Sequence, residues 1–387
     1  MNNIPVLHAI TRLIVGGAQE NTLYTAALLD KSRFRVEVIS GPQTGSEGGL
    51  IEEVRQRGVA LTILPELVRQ VSPVNDLRAL VKLTRRMKAR GYTIVHTHSS
   101  KAGVIGRLAA RLAHVPIIVH SVHGWSFHQH MPAWKKQMYI FLERLAASFT
   151  DAIIVVAGAD IDKGLRAGIG RQDQYHLIRS AIPLEAFDPG KADRQAARRK
   201  LGIAPDALVL GNVGRFSPQK NPLDWVRVAS RVARESPECC FLLVGDGPLR
   251  GEVEALITAE GLSQRTILTG LRRDVPDMLA AMDVFLLTSL WEGLPRVIPQ
   301  AMAMGVPVVA NRADGTAEAI EDGVSGYLCQ PGDLDCLAAG CLELLHSPKR
   351  RRSMGACGRA YALRDFDLNT MVSQIADLYE GLLAEHL

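Results

Sequence analysis

The chain has 387 residues, a mass of 42.1 kDa, 47% hydrophobic and 22% charged residues, a balance that excludes a disordered or fibrous protein and predicts two to three domains. No apolar run approaches the ~18 residues of a membrane span, and MNNIPVLHAI lacks the charged and apolar regions of a signal peptide, so a cytoplasmic protein is expected. The net charge of +5 is uneven: residues 1–190 hold 23 Lys and Arg against 15 Asp and Glu, residues 191–387 hold 22 against 25, and these give +8 and −3. An anionic partner is expected for the first half alone.

In chain order, Pro5–Ile10 is a short apolar strand that leads through Gly16-Gly17 into a helical pattern over Ala18–Leu29. Arg35–Ile39 alternates as a strand. Thr93–His96 runs into a helix over Ala102–Ala113, then Pro116–His120 and Ala152–Val156 add two more strands. Short β-rich runs separated by 10–15-residue helical patterns predict a parallel sheet covered by helices on both faces. Prolines and a glycine in Ile182–Gly190 punctuate the chain as a linker does. The pattern then restarts with strands at Leu208–Val213, Phe241–Val244, Asp283–Leu287 and Val306–Ala310, a helix at Leu223–Arg234 and a helical C-terminus. The expected fold is therefore α/β, with two doubly wound Rossmann-like domains facing across a cleft and ligands at the carboxyl ends of the strands. Six cysteines without a CxxC pair are read as buried reduced thiols.

Three glycine-containing or charged turns follow strands. Gly16-Gly17 lets backbone amides approach an anion at a helix start, but it is not GxGxxG, which argues against a dinucleotide dehydrogenase. Arg215 and Lys220 offer a guanidinium and an ammonium suited to a diphosphate. Glu292-Gly293-Leu294-Pro295, followed by Gln300, combines a carboxylate that can bind sugar hydroxyls with a helix start that favours phosphate. Each has an ordinary structural alternative: a tight turn, two solvated cations, a capped helix.

The order Gly16-Gly17, His123, Arg215 and Lys220, Gly245-Asp246-Gly247-Pro248, then Glu292-Gly293-Leu294-Pro295 resembles glycosyltransferase family 4, retaining nucleotide-sugar enzymes of the GT-B fold. His96–Gly103 and Val122–His128 are similar to the bacterial subgroup that builds surface polysaccharides. The resemblance implies an acceptor-side domain over 1–188, a nucleotide-sugar-binding domain over 189–368, and a C-terminal helix over 369–387 that packs back towards the first domain. It places Gly16 and Gly17 against the donor, His123 beside the transferred sugar, Arg215 and Lys220 on the diphosphate, and Glu292 on the sugar hydroxyls. Gly245, Asp246, Gly293, Leu294 and Pro295 complete the donor site. The family's second glutamate, which binds ribose, falls on Gln300 here, and an amide there loses a charge-assisted hydrogen bond. The reaction implied needs no metal and no cofactor beyond the nucleotide sugar.

His120, His123, His128 and His130 lie within eleven residues, but no cysteine completes a zinc set, and they are read as loop residues around His123. His96 and His98 share one face of a strand end and are read as hydrogen-bonded structural groups. The basic helix Arg78–Arg90 and the stretch Trp134–Phe141 suit an anionic membrane surface. The implied acceptor is lipid-diphosphate-linked or a glycan, with Arg69 and Lys101 as candidates to grip it; nucleic acid is a poor fit. A UDP-N-acetylglucosamine 2-epimerase and a non-catalytic nucleotide-sugar-binding homologue are the alternatives carried forward.

Overall fold

A computed structural model describes residues 3–43 and 48–386. Contacts divide the chain into two units, residues 1–180 with 368–387, and residues 181–367.

The first unit is built on seven parallel strands: β1 (Ile4–Ile10), β2 (Phe34–Ser40), β3 (Ala60–Ile63), β4 (Ile94–His98), β5 (Ile117–Val122), β6 (Ala152–Val155) and β7 (Tyr175–Leu177). Their order is β3-β2-β1-β4-β5-β6-β7, so the direction of winding reverses between β1 and β4. Crossover helices α1 (Gly17–Leu28), α2 (Ile51–Gln56), α3 (Pro73–Arg90), α4 (Ser100–Ala113), α5 (Ala133–Ala147) and α6 (Gly158–Arg166) connect them. Side chains alternate across each strand, so the two faces read differently. Leu7, Val95 and Ile118 meet Leu83 and Met87 of α3 and Ala109 of α4 on one face. Ile10 and Val38 meet Leu23 of α1 and Val54 of α2 on the other. Between α4 and α5, Arg107 pairs with Glu143 at 2.5 Å, both fully or almost fully buried.

The second unit carries six parallel strands, in the order β10-β9-β8-β11-β12-β13. They are β8 (Val209–Val213), β9 (Cys240–Val244), β10 (Thr266–Leu268), β11 (Val284–Leu287), β12 (Val308–Asn311) and β13 (Gly326–Cys329). Helices α7 (Arg194–Leu201), α8 (Pro222–Glu235), α9 (Arg250–Ala259), α10 (Val275–Ala281), α11 (Val297–Ala303), α12 (Thr316–Ala319), α13 (Leu334–His346) and α14 (Pro348–Asp365) accompany them. Its core joins Trp225, Val228 and Val232 of α8 to Phe241, Leu243 and Leu286 of the sheet and to Leu337 and Leu344 of α13. Asp283 anchors the start of β11, accepting from Arg194 and Arg198 at 2.8 Å each. Within this unit Ile182 donates to the Phe366 carbonyl at 3.0 Å. The chain then ends in α15 (Leu368–His386), which belongs to the first unit and packs on α1.

One cysteine expectation is corrected. Cys329, at the end of β13, is disulfide-bonded to Cys336 in the first turn of α13, with the Cα atoms 5.9 Å apart. A strand end and the next helix start bring the two within disulfide reach, a closeness that a seven-residue spacing does not announce. Cys239, Cys240, Cys341 and Cys357 are free thiols, and Cys357 is exposed rather than buried.

Candidate active site

In the first unit the candidate residues gather at the carboxyl ends of β1, β4 and β5, beside the reversal of strand order. The Gly16 carbonyl accepts from the Glu20 amide at 2.9 Å and opens α1, with Gly17 exposed. A side chain at Gly16 would crowd only the flexible end of Gln19, so the fold itself does not demand glycine there. Ser99, between β4 and α4, adopts a left-handed φ of 61°. Its hydroxyl lies 2.8 Å from that of Thr11, which in turn accepts the Ala102 amide at 3.1 Å and caps α4. Neither Thr11 nor Ser99 was singled out by sequence. Arg69 is exposed, whereas Lys101 pairs with Asp76 at 2.5 Å and also donates to the Gln70 carbonyl.

His123 follows β5 and is half-buried. Its Nε2 lies 3.3 Å from Nδ1 of His98, and the two rings stack. His98 Nε2 lies 2.9 Å from Nδ1 of His8 on β1. His96, two residues before His98 and level with His8 in the sheet, reaches Tyr379 Oη of α15 through Nδ1 at 2.6 Å and Ser121 Oγ through Nε2 at 2.7 Å. The reading of His96 and His98 as hydrogen-bonded groups therefore holds; their partners His8 and Tyr379, 90 and 283 residues away, carried no sequence signal. Burial pushes the His8 imidazolium down to about 3 and holds those of His96 and His98 well below the ordinary histidine value, reinforced by the neighbouring histidines. His120 points to the opposite face, bonds Thr97, and is likewise held down, first by burial and then by Arg107.

His8, His96 and His98 form the one group of metal-ligating side chains that converges among the described residues, with donor atoms within 4.8 Å of one another. Both nitrogens of His96 are already hydrogen-bonded, and no carboxylate stands in the group to balance a dication. Hydrogen bonds are what this geometry satisfies.

In the second unit the candidates lie on loops after β8, β9 and β11. Gly245 has a φ of +138°, and a Cβ there would collide with the Gly214 carbonyl oxygen; one on Gly247 would collide with that of Phe216. The two loops are laced backbone to backbone, Gly214 amide to Val244 carbonyl and Phe216 amide to Asp246 carbonyl, each at 2.9 Å. Close loop packing is therefore a sufficient physical reason for both glycines. Asp246 is exposed and accepts from the Gly247 amide at 2.7 Å and from Arg250 at 3.3 Å.

Lys220 and Glu292, 72 residues apart, meet as an ion pair, with Glu292 buried and Lys220 partly exposed. The loops that carry them are sewn together. Gln219 donates to the Trp291 carbonyl at 3.0 Å and reaches Glu292 at 3.5 Å, and the Leu290 amide donates to the Gln219 carbonyl at 2.9 Å. Asp314, at a left-handed φ of 41°, accepts the Glu292 amide at 3.2 Å. Thr288 bonds the Asn221 carbonyl at 2.8 Å, and Asn311 bonds the Thr288 carbonyl at 2.9 Å. Gln219, Asp314 and Asn311 were missed by sequence because each works through a partner on another strand's loop. Arg215 lies exposed on the β8 loop. Gly293, Leu294 and Pro295 are buried, and Gln300 is half-buried on α11.

Known proteins match on both units. The family model "Glycosyl transferase 4-like domain" matches residues 16–180, and "Glycosyl transferases group 1" matches residues 193–361. The UDP-Gal:alpha-D-GlcNAc-diphosphoundecaprenol alpha-1,3-galactosyltransferase of Escherichia coli is 31% identical over 381 residues, covering 98% of this chain and 97% of its own. The putative glycosyltransferase EpsD of Bacillus subtilis is 29% identical over 297 residues, 76% of this chain and 77% of its own. Among solved structures, Anabaena HepE in complex with UDP and glucose superposes with a TM-score of 0.85 at 25% identity, over 98% of this chain and 100% of its own.

Proposed function

The chain belongs to glycosyltransferase family 4, as a nucleotide-sugar-dependent hexosyltransferase of the GT-B fold, and on that premise we propose that it moves a hexose or N-acetylhexosamine from a UDP-sugar to a lipid-diphosphate-linked or glycan acceptor in surface-polysaccharide synthesis. The epimerase alternative gains nothing from these relatives, which are glycosyltransferases. A retaining, metal-independent reaction is what the family carries as its expectation.

The observation that carries the reading is the Lys220–Glu292 pair, fixed by Gln219 and Asp314 at the carboxyl edge of the second sheet. A cation and an anion in contact suit a ligand that presents both a diphosphate and a polyol. Lys220 and Arg215 take the diphosphate, and Glu292 takes the sugar hydroxyls. Gln300 serves the ribose, and the Gly245-Asp246 and Gly293-Leu294-Pro295 loops shape the donor's surroundings. Gly16 and Gly17 give close backbone approach to the donor, and His123 stands beside the transferred sugar. In the reaction the bond from the anomeric carbon to the leaving UDP oxygen breaks and a bond to the acceptor oxygen forms. The acceptor's proton passes to the diphosphate, whose charge Arg215 and Lys220 stabilise; such preorganised charge is usually the largest catalytic contribution.

The acceptor side carries a surface suited to a membrane. No described helix is long and apolar enough to cross one. Trp134, Met138, Phe141 and Leu145 of α5 are nevertheless exposed at helical spacing beside Lys135 and Lys136, as are Val74, Leu77 and Val81 on basic α3. Such faces lie in the interface plane and favour anionic headgroups. Arg69 and Lys101 are the proposed grips for an acceptor diphosphate, Lys101 by exchanging Asp76 for it.

A radiolabelled UDP-sugar panel, incubated with and without an undecaprenyl-diphosphate-linked N-acetylglucosamine analogue, tests this. Label transferred to the lipid, with UDP released only when acceptor is present, is the expected result. A sugar isomer formed without acceptor contradicts it.

A further inference from the structure

The buried histidines do more than fill a sheet. Tyr379 Oη also lies 3.5 Å from His8 Nε2, so the contacts join end to end: Ser121–His96–Tyr379–His8–His98–His123. The run begins on β5, crosses β4 to α15, returns through β1 and β4, and ends on the half-buried His123. We propose that this chain of hydrogen bonds is a positioning device that holds His123 in a single tautomer, Nε2–H, for the transfer reaction. The inference rests on the proposed placement of His123 beside the donor sugar.

The proton count carries it. A neutral imidazole has one N–H and one lone pair, and a phenol has one O–H. Tyr379, donating to His96 Nδ1, leaves His96 Nε2 to donate to Ser121. The Tyr379 oxygen then accepts from His8 Nε2, His8 Nδ1 accepts from His98 Nε2, and His98 Nδ1 accepts from His123 Nε2. Every contact is satisfied, every ring is neutral, and every histidine is the Nε2–H tautomer that free imidazole side chains prefer. Reversing the direction also satisfies each contact but forces the less favoured Nδ1–H form on all four rings. A second proton on His8 or His98 would set N–H against N–H, so the chain resists charging from within. Burial works the same way, holding the three inner histidines neutral far below neutral pH. His8, His120 and His123 face both His96 and His98, and the Tyr379 phenol, itself pushed well above its ordinary value by burial, faces His96 from α15. With Nε2 bound to His98, His123 presents Nδ1 as a lone pair. The first partner of a functional histidine commonly fixes which of its nitrogens can act.

Selective 15N-histidine labelling of the full chain reads the tautomers directly, alongside kcat and UDP affinity. In the wild type, neutral His123 is expected to carry its proton on Nε2, with Nδ1 bare. His98→Leu is expected to let His123 average between tautomers and lower kcat roughly ten- to a hundredfold, with UDP affinity unchanged. His98→Asn, which keeps an acceptor near the lost Nδ1, is expected to restore much of both. Tyr379→Phe, which removes one oxygen, guards against a misfolded His98→Leu and is expected to shift the same signals by a smaller amount. A wild-type His123 whose neutral form averages between tautomers, or His98→Leu and Tyr379→Phe with unchanged spectra and kcat, overturns the inference. Unchanged turnover in His123→Ala, with the wild-type tautomer as expected, instead overturns the placement of His123 beside the donor.

Discussion

The two sheets share a topology but differ in the chemistry at their carboxyl edges. Ten of the eleven histidines lie in the first unit and only His346 in the second. The first edge carries a neutral, buried hydrogen-bond chain that ends on His123, and its buried ion pair, Arg107–Glu143, sits apart on the α4–α5 seam. The second edge puts its charge in the candidate site itself, as Lys220 against Glu292 with Arg215 on the same loop as Lys220. With the proposed roles, one parallel-sheet plan serves two tasks: a neutral network orients, and a charged pair stabilises what leaves.

A double dissociation would break that contrast or sharpen it. Glu143→Ala leaves the Arg107 guanidinium buried without its carboxylate and is expected to cost about 3–5 kcal/mol of stability, while UDP affinity stays unchanged; chemical denaturation and calorimetric UDP titration check both. Lys220→Ala leaves Glu292 without its cation, but Lys220 is partly exposed and its removal opens Glu292 to water, so a smaller loss of stability is expected, with transfer slowed about 10²–10³-fold in a UDP-release assay. An equal loss of stability in both variants would erase the distinction.

Gly245→Ala probes backbone packing within the charged edge. It places a methyl group against the Gly214 carbonyl at a φ disfavoured for alanine and is expected to cost about 1–3 kcal/mol. Thermal melts should show the loss, with UDP affinity falling as the two loops separate. An alanine variant as stable as wild type would remove close packing as the reason for glycine.

Acid separates the units next. The folded His8 value, about 3, lies below the unfolded value near 6.5, so its contribution is complete above pH 6.5 and is lost as pH falls from there towards 3. Over that window His8 alone costs about 1.4 kcal/mol per pH unit, and His96, His98 and His120 act in the same direction. Hydrogen exchange at pH 5, corrected for intrinsic rates, should show the first unit opening before the second. Simultaneous opening would mean the histidines are not buried neutral.

Gln300→Glu is the smallest change. A carboxylate restores the charge-assisted bond to a ribose hydroxyl, and UDP affinity is expected to hold or tighten by about tenfold or less. Weaker binding would show that Gln300 contacts something other than ribose.

Much of the architecture was legible because buried parallel strands read as short apolar runs: Val6, Leu7, Ile94, Val95, Phe241 and Leu242 announce themselves. The edge strands β3, β7, β10 and β13 did not, being three or four residues long and only partly apolar. Glu292 and Lys220 were legible as types of residue, each at a strand end, but their contact was not, since a strand crossing erases sequence distance. The supports Gln219 and Asp314 were invisible for the same reason. The resemblance implies a donor role for Gly245, and the structure adds a packing reason for glycine there. Tyr379 carries no mark in the helical C-terminus, and only α15 lying on the first unit reveals it as a histidine partner.

The most direct test of the central claim is the melting temperature of wild type and Lys220→Ala against UDP, GDP, ADP and NAD. A ligand at a hundredfold its dissociation constant adds about 2.7 kcal/mol to the native state, a shift easily read. UDP is expected to stabilise the wild type well beyond the other nucleotides, with the shift much reduced in Lys220→Ala. A shift with NAD alone, or an equal UDP shift in both proteins, would contradict a donor site built on the Lys220–Glu292 pair.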